Sequence, residues 1–285
     1  MDFSLSEDQE AIRGAVAEIC ARFPDEYWRE ADAGGDYPQE FVAALTEGGW
    51  LSILIPDEYG GAGLGMTEAA IVLEEINRSG GNGTACHAQM YTMGTLLRYG
   101  SEEQKRRYLP EIAKGHLRLQ AFAVTEPTTG SDTTRLQTRA ERRGGGYVVH
   151  GQKTFISRVR QSDLMLLLAR TTPLEQSDDR TQGISVFLVD LREAGDAVEV
   201  RPLETMLNHH TCELFIDGLE LPVESLIGEE GLGFRYILDG MNAERILVAS
   251  EAIGDGRWFV ERGSRYSSER EVFGRKIGSN QGVQF

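Results

Sequence analysis

Residues 122–132, FAVTEPTTGSD, combine residue types that can bind a polar ligand. A strand-like run delivers the hydroxyl of Thr125 and the carboxylate of Glu126 into a turn that Pro127 fixes and Gly130 opens. A serine and an aspartate follow, adding a second hydroxyl and free backbone donors. Such a turn suits a ligand with carbonyl and phosphate oxygens. The alternative interpretation is a hairpin turn that only satisfies its own hydrogen bonds.

Glu244, in the segment GMNAERI of residues 240–246, is the second candidate for chemistry. On a helix with 100° per residue it shares one stripe with the apolar residues Ile237, Met241, Val248 and Ala252. Desolvation in such a stripe raises the pKa of a carboxyl group toward the range useful for proton abstraction. Two alternatives stay open: Glu244 pairs with Arg245 or another arginine at a subunit interface, or the nearby Glu251 takes the role.

Two other patterns suggest ligand sites that their spacing does not support. Residues 59–65, YGGAGLG, miss the GxGxxG pattern because Met66 stands where the third glycine belongs. We therefore expect a loop that begins a helix. His209 and His210 are adjacent on an extended segment and point to opposite faces, so we expect no metal site.

The elements that position these residues fall into three blocks. Residues 1–118 show helical periodicity, with capping boxes at SEDQ (residues 6–9) and SEEQ (residues 101–104). Short β-branched and aliphatic runs follow, and GGG at residues 144–146 indicates a hairpin. Helical periodicity resumes at Gly233. Segregated blocks predict an α+β fold rather than alternating βαβ units.

We expect an N-terminal helical domain over residues 1–118 and a central β-sheet or barrel domain over 119–230. Residues 231–285 are expected to begin a C-terminal helical bundle. Within these blocks, further helices are predicted over 38–48, 67–78 and 84–99, and strands over 119–125, 136–141, 146–150, 164–170, 184–189 and 212–216.

Composition restricts the class of partner. The 285 residues contain 45 acidic and 29 basic side chains, a net charge of −16. This excess disfavours nucleic acid, whose binding depends on Lys and Arg. No basic segment precedes an apolar run at the start, and no apolar run approaches the length of a spanning helix. We therefore expect a protein that does not insert into membranes. Cys20, Cys86 and Cys212 lie far apart without redox spacing, which indicates reduced thiols in a cytoplasmic protein.

Several motifs in order identify the chain as similar to the acyl-CoA dehydrogenase family. The TEP turn ending in GSD (residues 125–132) resembles the first signature of that family, and REVFGRKI (residues 270–277) with Gln281 and Phe285 resembles the second. IPDEYGG (residues 55–61) and YGSEEQK (residues 99–105) look like its helical domain. GQKTFIS (residues 151–157) looks like its central strand.

The resemblance implies FAD as cofactor and oxidation of an acyl-CoA thioester to its α,β-unsaturated form, with the β-hydride passing to flavin N5. It assigns cofactor contacts to Phe122, Val124, Thr125, Gly130, Ser131, Phe155 and Ser157. It further implies that Arg270, Phe273 and Gln281 reach the FAD of a neighbouring subunit, which requires a homodimer or homotetramer. Substrate contacts fall on Ser131, Met241 and Arg245.

Some positions depart from the usual pattern of the family. Thr129 stands where a small residue is usual, Phe155 where Trp is frequent, Ser157 where Thr is common, and Arg158 where Asn is usual. A subset of the family carries its catalytic Glu just before an Arg on this helix, as Glu244 does here. Most members of the family carry this Glu in the C-terminal helical region instead, beyond residue 285. The resemblance therefore implies Glu244 as the base that removes the α-proton, with a residue past position 285 as the alternative.

The resemblance also implies an electron-transfer flavoprotein as electron acceptor. One alternative is a relative that acts as an acyl-CoA oxidase and uses oxygen. Another is a non-catalytic fragment that binds a partner, because the sequence stops directly after the second signature and the family has further C-terminal helices.

Overall fold

A computed structural model describes residues 4–207 and 209–285, and it confirms the α+β fold class. The helices are α1 Glu7–Cys20, α2 Asp25–Gly34, α3 Gln39–Glu47, α4 Met66–Arg78, α5 His87–Tyr99, α6 Glu102–Ala113, α7 Gly233–Glu269 and α8 Gln281–Gln284. The strands are β1 Leu119–Ala123, β2 Arg139–Arg143, β3 Gly146–Ser157, β4 Leu164–Arg170, β5 Ile184–Asp190, β6 Val198–Pro202, β7 Thr211–Pro222, β8 Leu226–Ile227, β9 Glu271–Val272 and β10 Arg275–Lys276.

The predicted capping boxes determine where α1 and α6 begin. The Ser6 hydroxyl accepts from the backbone N–H of Gln9 at 3.2 Å, and the Gln9 side chain accepts from the backbone of Ser6 at 3.1 Å. Ser101 and Gln104 exchange the same pair of bonds. Each box satisfies two N–H groups that a helix start otherwise leaves without partners. Gly65 is the N-cap of α4, so the glycine segment does begin a helix.

Helix α2 lies outside the sequence predictions. Its apolar residues Tyr27, Trp28 and Ala31 share one face at helical spacing, but this pattern covers little more than one turn and none of the three is fully buried. The missed strand β6 has a similar cause, because it lies at one end of the sheet order and is largely exposed. Strand β3 extends to Ser157, seven residues beyond its predicted end, and pairs with β7 along this length.

The central sheet follows the order β6-β7-β3-β2-β4-β5-β8, with β1 pairing parallel to β4. All residues of β4 are buried. Leu164, Leu166 and Leu168 pack in one core with residues of α5 and α6, while Met165 and Leu167 pack in a second core within the sheet. The continuous apolar run of β4 reflects this burial on both faces.

The buried stripe of α7 differs from the predicted one. Its members are Ile237, Gly240, Leu247, Glu251 and Gly254, whereas Val248 is 41% exposed and the side chain of Ala252 is also exposed. The buried positions repeat every 3.5 residues, as expected for a long helix in sustained contact with neighbouring helices. The prediction assumed 3.6 residues per turn, so its later members, Val248 and Ala252, lie outside the buried stripe. No helix among the described residues has the length and apolar content needed to cross a membrane.

Helices α4 and α7 approach each other so closely at Gly254 that adding one methyl group there should destabilise the protein. A Cβ at Gly254 would overlap the carbonyl oxygen of Glu74 and lie 2.9 Å from the backbone nitrogen of Arg78. Because backbone atoms cannot move aside, we expect Gly254→Ala to lower the free energy of unfolding by about 2–3 kcal/mol. Gly256→Ala is the control on the same helix, since no atom lies within 4 Å of its Cβ position. It should stabilise by about 0.5–1 kcal/mol. Equal urea midpoints for the two variants would contradict this packing.

Candidate active site

A cavity of about 310 Å³ lies where α5, α7 and the ends of β1 and β3 meet. Its lining is Tyr91, Gln120, Phe122, Val124, Thr125, Gly130, Thr133, Phe155, Ser157, Met241 and Glu244. The volume is at the lower end of the range for small-molecule sites. Eight of the residues predicted from the sequence therefore meet in one place, although more than 100 positions separate the first from the last.

The turn after β1 is both a hydrogen-bonded hairpin turn and a neighbour of the cavity, so it combines the two interpretations of its sequence. Glu126 and Thr129 exchange backbone hydrogen bonds at 2.9 and 3.0 Å, so the local hairpin turn is present. Thr125, directly before this turn, lines the cavity. Its carbonyl oxygen accepts from the backbone N–H of Thr154 at 2.9 Å, which ties the turn to β3. The turn is thus closed on itself, and the residue directly before it also lines the cavity.

The carboxylate of Glu126 is buried within the protein and is not part of the cavity lining. Its side chain is 4% exposed and accepts from the Lys153 ammonium at 2.9 Å and from the backbone N–H groups of Gln137 and Thr138 at 2.6 and 2.9 Å. Burial alone would raise the pKa of Glu126, but Lys153 and these donors outweigh it and hold the pKa below its ordinary value. Glu126 therefore fixes the turn.

Phe155 enters the cavity because of a β-bulge. The register between β3 and β7 shifts between Lys153 and Ile156, which inserts one extra residue into β3. Phe155 has a φ of 58°, a left-handed conformation that aromatic residues rarely adopt, and its ring is 66% exposed. Strained backbone that displays an apolar ring at a cavity indicates a site of ligand contact.

Glu244 is half-buried and faces the same cavity. Burial raises the pKa of its carboxyl group above the ordinary value, while His87 and Arg245 act in the opposite direction. No ion pair or hydrogen bond engages the Glu244 carboxylate within residues 4–207 and 209–285. Arg245 instead donates to the side chain of Asn242 at 2.7 Å. The arrangement can therefore accept a proton from a bound molecule.

Glu251 does not compete for that role. Its side chain is 6% exposed, and both of its carboxylate oxygens contact Nδ1 of His87, at 2.9 and 3.0 Å. It lies two helical turns after Glu244 and does not line the cavity. Of the two carboxylates that the sequence left open, Glu244 is the one exposed to a ligand.

Other predicted residues lie outside the cavity lining. Ser131 is exposed beyond the turn, and Arg245 is exposed on α7. Arg270, Phe273 and Gln281 lie exposed after α7, with Phe273 at 101% relative exposure. The roles predicted for these five residues stay predictions.

Three cavity residues escaped the sequence analysis. Tyr91 lies on a helix that was expected, but no spacing pattern separated it from core residues, and Gln120 and Thr133 flank the TEP turn without a motif of their own. Gln120 is 1% exposed and its Nε2 donates to the Tyr37 hydroxyl at 3.1 Å. Its Oε1 is buried without a hydrogen-bond partner in the described chain.

The described residues contain no cluster of three or more side chains that could hold a metal ion. The structure therefore defines an α+β protein with a small-molecule cavity, lined by aromatic residues, hydroxyl-bearing residues and one desolvated carboxylate.

Comparison with known proteins identifies the family to which this chain belongs. Sequence models of the acyl-CoA dehydrogenase N-terminal, middle and C-terminal domains match residues 6–116, 121–219 and 231–285. The probable acyl-CoA dehydrogenase YdiO of Escherichia coli K12 is 33% identical over 293 aligned residues, which cover 100% of this chain and 73% of the relative.

Solved structures agree with this match. A glutaryl-coenzyme A dehydrogenase in complex with glutaryl-CoA superposes with a TM-score of 0.91 at 30% identity, over 100% of this chain and 72% of the other. The structure of PigA with FAD and proline superposes with a TM-score of 0.90 at 25% identity, over 100% of this chain and 74% of the other. The chain belongs to the acyl-CoA dehydrogenase family, whose members are flavoprotein oxidoreductases acting on acyl-CoA. The predicted family and enzyme class are confirmed.

The buried Lys153–Glu126 pair generates a stability prediction. Lys153→Met leaves a buried carboxylate without its charged partner, and we expect the free energy of unfolding to fall by about 3–5 kcal/mol. Lys153→Met combined with Glu126→Leu should recover much of this loss, because no uncompensated charge remains. Lys114→Met removes a cation from an exposed pair with Glu111 and should change the stability far less than Lys153→Met does. Denaturant unfolding measures all three, and a small effect of Lys153→Met alone would refute the role of the pair.

Proposed function

We propose that this protein catalyses the FAD-dependent α,β-dehydrogenation of an acyl-CoA thioester to the trans-2-enoyl-CoA. The observation that carries the proposal is the Glu244 carboxylate, which is desolvated, unpaired within the described chain and exposed to the cavity. Proton removal next to a thioester carbonyl requires such a base, with a pKa raised toward the working pH.

The residues that line the cavity suit the aromatic face and the polar edge of a flavin ring. Phe122 and the outward-turned Phe155 supply aromatic surface, and the hydroxyls of Thr125 and Ser157 supply polar contacts at the same cavity. The buried Oε1 of Gln120 can accept a hydrogen bond that no described residue donates. Phe122, Val124, Thr125, Gly130, Ser131, Phe155 and Ser157 would hold the cofactor. When bound, FAD supplies the two-electron acceptor of the reaction.

The residues of this chain would supply the remaining functions. Glu244 removes the α-proton, and its position in a partly buried cavity excludes the water that would otherwise solvate the carboxylate. Met241, one turn before it on α7, offers apolar contact to the acyl chain. Arg245 and Ser131, both exposed near the cavity, would contact polar parts of the acyl-CoA.

The proposal extends to partners and location. Arg270, Phe273 and Gln281 are exposed and available to the FAD of a neighbouring subunit, which supports a homodimer or homotetramer. An electron-transfer flavoprotein would accept the electrons, and the protein would act in the cytoplasm. Peroxide formation under air would instead favour an acyl-CoA oxidase, and a purified protein without yellow colour would favour a non-catalytic binding fragment.

Removing the base should abolish turnover without removing the cofactor. We expect Glu244→Gln to slow flavin bleaching by acyl-CoA under anaerobic conditions by about a hundredfold or more, with the yellow colour retained. Glu261→Gln, an exposed site on the same helix, is the control and should keep the wild-type rate. A near-normal bleaching rate in Glu244→Gln would show that the base lies elsewhere.

The raised pKa of Glu244 determines how the rate of flavin bleaching depends on pH in the acidic range. Because only the ionised carboxylate accepts the proton, the bleaching rate should fall as the pH decreases through the pKa of Glu244. That fall should occur above pH 4.5, the ordinary value for Glu, because burial shifts the pKa upward. Stopped-flow rates from well below pH 4.5 up to pH 8 measure the midpoint, and a midpoint at or below the ordinary Glu value would contradict a desolvated base.

The strained backbone of Phe155 predicts two effects of opposite sign. Phe155→Gly and Phe155→Ala both remove the ring, so each should weaken FAD binding by roughly tenfold. Glycine usually destabilises a strand relative to alanine, but at a φ of 58° it alone relieves the strain. We therefore expect the FAD-free Phe155→Gly variant to be the more stable by about 1 kcal/mol. Fluorescence titration and urea unfolding test the two effects separately.

A further inference from the structure

Two polar side chains in the cavity lining have no part in the proposed proton transfer. Tyr91 on α5 and Gln120 on β1 both line the cavity that Glu244 faces, and neither is among the residues proposed to hold the flavin. The ring of Tyr91 lies 6.4 Å from that of Phe122, which follows Gln120 by two residues on the strand. The two polar side chains therefore lie on the side of the cavity where α5 packs against β1.

A β-bulge accompanies Gln120 at the cavity. The register between β1 and β4 shifts between Leu119 and Ala121, so Gln120 is an extra residue in the strand. Its backbone N–H donates to the Ser162 hydroxyl at 3.3 Å. Such bulges are frequent beside active sites, where they redirect a side chain. Polar Gln120 and apolar Phe122 consequently reach the same cavity.

Hydrogen bonds fix the orientation of the Gln120 amide. The Tyr37 hydroxyl donates its one proton to the carbonyl oxygen of Ala85 at 3.0 Å, so toward Gln120 it can only accept. Nε2 of Gln120 donates to that hydroxyl at 3.1 Å. Tyr37 does not line the cavity, so Oε1 is the polar end of the amide that remains for a ligand. Oε1 is buried without a hydrogen-bond partner in the described chain.

The Tyr91 hydroxyl supplies the complementary group. Tyr91 is 8% exposed, and its hydroxyl forms no hydrogen bond within residues 4–207 and 209–285. A buried tyrosine hydroxyl usually has such a partner. Burial raises the pKa of Tyr91, and Glu244 and Glu251 act in the same direction, so the hydroxyl stays protonated and can donate. Besides the base, the cavity thus has one donor and one acceptor for a ligand.

We propose that Tyr91 and Gln120 recognise a hydroxyl group on the acyl chain of the substrate, beyond the two reacting carbon atoms. A hydroxyl donates to Oε1 of Gln120 and accepts from the Tyr91 hydroxyl. An alkyl chain does neither and leaves both polar atoms buried without partners, which costs free energy. A site of this kind rejects a substrate that lacks the group. The inference rests on the proposed function and names the class of acyl-CoA that the cavity selects.

The test compares hydroxylated acyl-CoAs with their alkyl parents. The probes are 4-hydroxybutyryl-, 5-hydroxypentanoyl- and 6-hydroxyhexanoyl-CoA, each paired with the unsubstituted acyl-CoA of the same length. Calorimetric titration of the Glu244→Gln holoprotein measures binding without turnover. We expect at least one hydroxylated compound to bind about tenfold or more tightly than its parent. The absence of a preference at every chain length overturns the inference and indicates that water satisfies the two polar atoms.

Two substitutions attribute the preference to the polar pair. In the Glu244→Gln background, Tyr91→Phe and Gln120→Leu nearly keep the side-chain volume, and each should reduce the preference to about threefold or less. Tyr99→Phe is the control, since it removes a hydroxyl that donates to Asp239 on the same helix, outside the cavity. It should leave the preference unchanged. If Gln120→Leu does not fold, Tyr91→Phe alone makes the comparison.

Two further outcomes overturn the inference. One is an unchanged preference in both variants. The other is a Gln120→Leu variant that loses affinity for FAD in a fluorescence titration while the preference persists, because the flavin would then be the donor to Oε1.

Failure of this inference is distinct from failure of the proposed function. If alkyl and hydroxylated compounds bleach the wild-type flavin equally and Glu244→Gln stops both, the base is correct and hydroxyl recognition is wrong. If neither class bleaches the flavin, the proposed dehydrogenation is wrong, and the calorimetric preference still decides whether Tyr91 and Gln120 bind a hydroxyl.

Discussion

The buried contact between Lys153 and Glu126 is the interaction on which the cavity depends. It joins the turn after β1 to the middle of β3, two segments that are far apart in the chain. Lys153 also donates to the carbonyl oxygen of Val124 at 3.1 Å, so one ammonium group holds two residues at the start of the turn. Removing either charge alone would leave the other buried without a partner next to Thr125 and the bulge at Phe155, which is why both residues must be present together.

The second constraint is the contact of α7 with α4 and α5. Its buried positions repeat every 3.5 residues, and glycine at 240 and 254 allows the close approach. Glu244 lies at the border of this contact line, where the helix leaves the core and faces the cavity. A carboxylate at such a border is desolvated enough to be basic and exposed enough to reach a substrate.

Much of the architecture could be predicted because its signals are local. Capping boxes place the starts of α1 and α6, and the continuous apolar run of β4 indicates a strand buried on both faces. The elements α2 and β6 were not recognised, because the apolar face of α2 covers little more than one turn and β6 is largely exposed. The sequence analysis assumed 3.6 residues per turn for α7, whereas its buried positions repeat every 3.5 residues. This difference arises from contact with neighbouring helices, which the sequence of one helix does not reveal.

The sequence by itself determined the family, the α+β class and most of the cavity residues, because short motifs carry that information. The tertiary structure decided which carboxylates are available for chemistry. Glu126, Glu244 and Glu251 look alike in the sequence, but Lys153 neutralises the first, His87 engages the third, and only the second faces the cavity without a partner in the described chain. Partners distant in sequence make this distinction, since the charge and desolvation of a carboxylate depend on its three-dimensional surroundings.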